Sequence, residues 1–121
     1  MQEVSVIIPN FNGMAYLDGV LAGMECQTVN NFEVILVDNG SSDGSCAFVA
    51  ARYPWVHLIE LPENYGFCKA VNEGIKASRA PYVLLLNNDI EVTENFIEEM
   101  TSAIKRHPKA FYLCSQNDPV S

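Results

Sequence analysis

The apolar run Tyr82–Leu86 passes directly into Asn87-Asn88-Asp89, with no glycine or proline to make an ordinary turn. A carboxylate and two carboxamides at the end of a buried segment are costly unless something satisfies them. The triplet can simply cap the segment through local hydrogen bonds. The other reading is a hard divalent cation: Mg²⁺ and Mn²⁺ prefer oxygen ligands, and Mg²⁺ commonly joins one or two carboxylates to substrate phosphates. A cation at Asp89 would let an acidic chain accept an anionic diphosphate and would stabilise a departing diphosphate as a Lewis acid.

Three further polar stretches follow apolar runs: Pro9-Asn10-Phe11-Asn12-Gly13, Asp38-Asn39-Gly40-Ser41-Ser42-Asp43-Gly44 and Pro62-Glu63-Asn64-Tyr65-Gly66. Turn chemistry explains any one of them, and Ser42 or Asp43 can cap the next helix. Four such loops meeting at one sheet edge are better explained by a polar ligand crevice.

The elements that must position these loops alternate in period. Glu3–Ile8 is a β-rich run ended by Pro9. Met14–Cys26 places Leu17, Val20, Leu21 and Met24 on one helical face. Phe32–Asp38 is a second strand, Cys46–Tyr53 a short helix stopped before Pro54, and Val56–Leu61 a more polar, edge-like third strand. Phe67–Ser78 is a helix with Phe67, Ala70, Val71, Gly74 and Ile75 inward, which makes Phe67 a core residue more readily than a ligand contact. Tyr82–Leu86 is the fourth strand. Glu94–Arg106 is the last helix, with Phe96, Ile97, Met100, Ala103 and Ile104 on its apolar face. Its expected punctuation is Thr93 as N-cap, acids near the start, Lys105, Arg106 and His107 at the end, and Pro108 beyond. Ala110–Cys114 begins a fifth strand or a tail.

This order predicts an α/β fold with a mostly parallel sheet and helices on both faces. Runs such as VILV and YVLLL suit strands buried on both sides. In such sheets ligands bind outside the carboxyl ends of the strands, where the four polar loops fall.

The 121 residues, 49% apolar and 18% charged, suffice for one domain with a core. Fifteen acids against seven bases give a net charge of -8, opposite to a nucleic-acid binder. No apolar run approaches a membrane span, and the first residues, without a basic stretch followed by an apolar one, lead to the expectation of no secretory signal. The four cysteines, Cys26, Cys46, Cys68 and Cys114, show no metal-ligand spacing. They read as free thiols in a reducing cytoplasm, acting as small buried hydrophobes. The sequence lacks G-x-G-x-x-G, the P-loop and G-x-S-x-G, which disfavours dinucleotide, P-loop and hydrolase chemistry. A receiver domain using Asp38 as phosphoacceptor would need an acidic pair after the first strand, which Pro9-Asn10-Phe11 does not supply.

With these residues assembled, the chain resembles a family 2 glycosyltransferase of the GT-A fold. The matching pieces are VSVIIPNFNG (Val4–Gly13), QTVNNFEVILVDNGSSDGS (Gln27–Ser45), ENYGFCKAVNEGI (Glu63–Ile75) and YVLLLNNDIEV (Tyr82–Val92). The Asn87-Asn88-Asp89 triplet is similar to that of rhamnosyltransferase-like members.

The resemblance implies a Rossmann-like nucleotide-binding half and a role for each matching residue. Pro9 and Asn10, with Asn12 in the same loop, would sit beside the nucleoside of a nucleotide-sugar. Asp38 would hydrogen-bond the base, with Asn39 close by, and Ser41 and Asp43 would shape that loop. A carboxylate does accept well from a pyrimidine or guanine imino N–H, although Asp38 is also placed to be a turn or helix cap. Asn64, Gly66 and Phe67 would line the groove, with Lys69 and Asn72 near base or diphosphate. Gly66 would allow close backbone approach, or simply start a helix. Asn88 and Asp89 match the family's D-x-D element, which contacts ribose and a metal, Mg²⁺ or Mn²⁺. Asn87 stands where many members carry Asp, leaving Asp89 as the metal carboxylate.

The implied reaction is inverting glycosyl transfer from a UDP-, dTDP- or GDP-linked sugar to an acceptor hydroxyl. The acceptor would be a glycan or lipid-linked sugar, in cell-surface polysaccharide synthesis. A general base must reach the acceptor hydroxyl. After Asp89 come only Glu91, Glu94, Glu98, Glu99 and Asp118 as acids, none a convincing base: the glutamates belong to a solvated helix or its approach, and Asp118 to a turn in a tail. Residues 1–121 are therefore expected to be a single, truncated donor-binding domain without the acceptor half. The alternative is a non-catalytic nucleotide-sugar-binding or assembly module, completed by a second chain or as a homodimer.

Overall fold

The computed structural model describes residues 2–106 and the pair Leu113–Cys114. Its elements are β1 (Val4–Asn10), α1 (Met14–Glu25), β2 (Phe32–Asn39), α2 (Ser45–Arg52), β3 (His57–Leu61), α3 (Phe67–Ala77), β4 (Tyr82–Leu86), α4 (Phe96–Arg106) and β5 (Leu113–Cys114). The strands form one parallel sheet in the order β3-β2-β1-β4-β5. The chain thus builds outward from β1 through β2 to β3, then returns to the other side of β1 to place β4. That reversal opens a gap between the loops leaving β1 and β4, where α/β sheets bind ligands.

The continuous apolar runs reflect burial on both faces. Val4, Val6 and Ile8 of β1, with Val34, Leu36, Leu84 and Leu86, meet Leu17, Val20, Leu21 and Met24 of α1, Val49 of α2, and Ile97 and Ile104 of α4. On the opposite face Ile7, Ile35, Val37 and Leu85 pack on Ala70 of α3. The expected fold class holds, and β3 is the edge strand its polarity suggested.

Several local expectations are corrected. Pro9 does not end β1, which continues to Asn10 beside Asp38 of β2. Pairing of β1 with β4 stops at Ile7–Leu85, so Pro9 sits where one side of β1 is already an open edge and proline is tolerated. On α3 only Ala70 and Gly74 are buried, whereas Phe67 and Ile75 are exposed. Ile75 lies about 100° around the helix from Gly74, off the stripe that meets the sheet. Phe67 is the first residue of the helix, three residues before the first one buried against the sheet.

Helix α4 begins at Phe96, two residues later than its sequence suggests. The Thr93 hydroxyl bonds the Asn95 side chain rather than a helical N–H. The cap comes from far away instead: Gln27 Oε1 accepts the Ile97 N–H at 2.8 Å, while Gln27 Nε2 donates to the Thr93 carbonyl at 2.7 Å. The three cysteines whose side chains are described are not buried hydrophobes: Cys26 and Cys68 are exposed and Cys46 is half-buried. Cys26 lies just past α1, and Cys68 is out of phase with the Ala70–Gly74 stripe. Leu113–Cys114 does pair with β4 as a fifth strand. His107, Pro108, Ala110–Tyr112, Asp118 and the Cys114 side chain lie outside the described residues.

Candidate functional site

Parallel register brings the ends of β1 and β2 level, with Asn10 opposite Asp38. Both side chains are almost fully buried, at 2% exposure, so each must find partners inside the protein. They find each other: Asn10 Nδ2 donates to Asp38 Oδ1 at 2.8 Å. Ser41 closes a tight turn on the same carboxylate, its N–H donating to Oδ2 at 2.8 Å and its hydroxyl to Oδ1 at 2.7 Å. Asn88, from the end of β4, donates to Asn10 Oδ1 at 2.7 Å. Three strand ends are joined by this one network.

The loops after β1 and β2 are also stitched to each other. Asn12 N–H donates to Ser41 Oγ at 2.8 Å, and Ser42 N–H donates to Asn12 Oδ1 at 2.9 Å. Asp43 accepts from the Met14 N–H and the Ser45 N–H, each at 3.0 Å, and from the Ser45 hydroxyl. It therefore serves the amino-terminal ends of α1 and α2 together, where a negative charge is favoured. The Ser45 hydroxyl, then the Met14 and Ser45 N–H groups, hold its carboxyl below its ordinary value of 3.8.

A crevice of about 410 Å³ opens above these residues. Pro9 and Asn10 line it from the end of β1 and Phe11 from the loop after it, Asn39 from the end of β2, and Asn87 and Asn88 from the loop after β4. Asn64 and Gly66 come from the loop before α3, and Phe67 from the first position of that helix. Asn39 positions that last loop, donating to the Gly66 carbonyl at 2.9 Å and accepting the Tyr65 N–H at 2.9 Å. Its carboxamide thus acts as a splint between the ends of β2 and α3. The walls are carboxamides, and two exposed aromatic rings stand at the rim.

The expected site residues fall into groups. Pro9, Asn10, Asn39, Asn64, Gly66 and Asn88 line the crevice. Asp38, Ser41 and Asn12 stand behind it in the network, and Asp43 staples the helix starts. Asp89 follows Asn88 and is half-buried, without lining the crevice. Lys69 and Asn72 are exposed on α3 and do not line it either; Lys69 pairs with Glu73 at 3.2 Å. Of the acids after Asp89, Glu98 accepts from Thr28 and Glu99 from Asn95, and neither lines the crevice. Sequence reasoning overlooked Phe11; a large aromatic inside an Asn- and Gly-rich turn was the available signal.

Cys46 lies against the network from α2. Burial, with the Asp38 and Glu60 carboxylates beside it, pushes its thiol up to about 12, so it is a neutral donor rather than a nucleophile. A larger cleft of about 610 Å³ lies at the opposite, amino-terminal end of the sheet, with Phe32, Val34 and Trp55 in its wall. It contains none of the expected site residues, so chemistry rather than size selects the carboxyl-edge crevice.

Oxygen donors at the end of β4 suit a hard cation: one carboxylate, Asp89, with the carboxamides of Asn87 and Asn88. Among the described residues no group of three or more His, Cys, Asp or Glu could hold a metal by itself. A cation here would complete its shell with substrate phosphates and water, as Mg²⁺ commonly does. No helix among the described residues is long and apolar enough to cross a membrane.

Comparison with known proteins places these features in a family. The family described as Glycosyl transferase family 2 matches residues 5–118. The glycosyltransferase GlyG of Streptococcus pneumoniae serotype 4 is 30% identical over 105 residues, covering 84% of this chain and 35% of that protein. The cholesterol galactosyltransferase of Borreliella burgdorferi is 29% identical over 117 residues, covering 94% of this chain and 32% of its own length. The crystal structure of S. aureus TarS 1-349 in complex with UDP-GlcNAc superposes with a TM-score of 0.78 at 25% identity, covering 88% of this chain and 32% of that one. The chain spans about a third of the length of these relatives.

Proposed function

The chain belongs to glycosyl transferase family 2, and from that premise we propose that its carboxyl-edge crevice binds a nucleotide-diphospho-sugar donor for inverting transfer to an acceptor hydroxyl. The observation that carries this reading is the convergence of four strand-end loops on one carboxamide-lined crevice with exposed Phe11 and Phe67 at its rim. Carboxamides offer both donors and acceptors to a base and a ribose, and aromatic faces stack on any base. Asp38, reached through Asn10 and Ser41, lies on the nucleoside side. Asn88 would meet the ribose or the cation, and Asp89 the cation beside the diphosphate.

Asp89 would hold Mg²⁺ or Mn²⁺, which supplies Lewis-acid stabilisation of the leaving nucleoside diphosphate. The chain's own part is to bind and orient the donor between β1, β2 and β4. Transfer itself, with its acceptor and general base, is a proposal for the whole protein. So is a role in assembling a cell-surface glycan in the cytoplasm.

Calorimetric titration of the 121-residue chain with UDP, dTDP and GDP, each with and without Mn²⁺, tests the reading. At least one nucleotide should bind, and Asp89→Ala should remove the gain due to Mn²⁺. Absence of binding to all three would overturn it. A similar triplet in rhamnosyltransferase-like members makes dTDP the informative comparison with UDP.

A further inference from the structure

The network beneath the crevice has a fixed polarity. Ser41 N–H donates to Asp38 Oδ2, and Asn12 N–H donates to Ser41 Oγ. A backbone N–H cannot be reversed. With its oxygen already accepting, the Ser41 hydroxyl turns its proton to Asp38 Oδ1. Asp38 thus accepts from Ser41 on both of its oxygens, and the Asn10 group facing Oδ1 is the NH₂. Asn10 then turns its oxygen to Asn88, and Asn88 answers with its own NH₂. A carboxamide has one oxygen and one nitrogen, so the oxygen of Asn88 is left for other partners.

We propose that Asp38 is a positioning residue: acting through Asn10, it orients Asn88 so that the carboxamide oxygen, not the NH₂, meets the bound ligand. The inference rests on the nucleotide reading of this crevice. The ligand group it selects is one that seeks an oxygen acceptor, either a ribose hydroxyl or a divalent cation. Gly13 is independent support. A Cβ there would lie 2.2 Å from Asn88 Nδ2 and 2.3 Å from Asn10 Oδ1, so the bond occupies the space a side chain would need.

The first test needs no nucleotide. In the ¹⁵N-labelled chain, the Asn88 side-chain amide protons should show a strong NOE to Gly13 Hα. In Asp38→Asn, which can present an NH₂ to Asn10, that NOE should weaken and the Asn88 amide resonances should move while core amides stay in place. An absent NOE in the wild type, or an Asn88 amide unmoved in both Asp38→Asn and Ser41→Ala, would overturn the proposal. Because this readout precedes any ligand, its failure is distinct from a failure of nucleotide to bind.

The second test identifies the ligand group. Asp38→Asn and Gly13→Ala should each weaken UDP binding about tenfold, the scale of one misplaced hydrogen bond. A loss confined to titrations with Mn²⁺ assigns the cation as partner. A loss without Mn²⁺ that is absent for either 2′-deoxy-UDP or 3′-deoxy-UDP assigns the ribose hydroxyl. Equal losses for UDP, 2′-deoxy-UDP and 3′-deoxy-UDP, with and without Mn²⁺, would show that Asp38 contacts the nucleotide directly and would overturn the proposal.

Discussion

Asn88 and Asn10 are joined by a 2.7 Å hydrogen bond that ties the end of β4 to the end of β1 at the point where strand order reverses. The residues are 78 positions apart in the chain. Their bond, together with that from Asn10 to Asp38, holds the floor of the crevice by the protein's own contacts. A pocket held in this way loses little freedom on binding, so more of each ligand contact appears as affinity.

Phe11 and Phe67 are 49% and 53% exposed, although both are large apolar residues. Truncation of an exposed ring leaves no cavity in the core. Phe11→Ala and Phe67→Ala should therefore change folding stability by less than about 0.5 kcal/mol. At least one should lower nucleotide affinity about tenfold, the scale of one base–aromatic stack. Urea denaturation and calorimetry separate the two effects. A large stability loss without an affinity loss would return these rings to the core.

Gly40 has a φ of +80°, and a Cβ there would lie 2.6 Å from both the Cα and the carbonyl carbon of Glu63. The obstructing atoms are backbone and cannot rotate away. Gly40→Ala should cost about 2 kcal/mol or more, combining left-handed strain with displacement of the loop that carries Asn64. An unchanged urea midpoint would refute this.

Asp43 joins the starts of α1 and α2, and its pKa is lowered in the folded protein, first by the Ser45 hydroxyl. A lowered carboxyl pKa gives stability that is fully present above the ordinary value of 3.8 and is lost as pH falls through the folded value. Asp43→Asn should therefore be less stable than the wild type at neutral pH. The difference should shrink as pH drops below 3.8. Melting temperatures of both proteins across acidic pH would show convergence, and a constant gap would contradict the assignment.

Cys46, with its thiol pushed to about 12, should resist alkylation at pH 8, whereas exposed Cys26 and Cys68 should react readily. Timed iodoacetamide labelling followed by peptide mapping gives the rates. Asp38→Asn removes one of the two carboxylates that raise Cys46 and should speed its labelling. Rapid modification of Cys46 in the wild type would show that the thiol is not held against the network.

Helix and strand order were legible because buried elements repeat their apolar residues with a fixed period, as in Leu17, Val20, Leu21 and Met24. The edge position of β3 followed from its polarity. The loops were legible only as polar. Asp43 could be given a loop or capping role from its neighbours, but not that it serves two helices. The start of α4 is not legible locally, because its cap, Gln27, is 70 residues away from Ile97. Periodicity puts Phe67 inward because it reports the apolar side of a helix and not where the surface beneath it ends.

By itself the sequence determined a parallel α/β sheet with its polar loops gathered at the carboxyl edge, because strand and helix periods are local properties of the chain. Only the tertiary structure decided which carboxamides face the crevice, which hold one another, and which way each is turned. A buried polar side chain adopts the orientation that satisfies its hydrogen bonds. For Asn10 those partners, Asp38 and Asn88, are 28 and 78 residues distant.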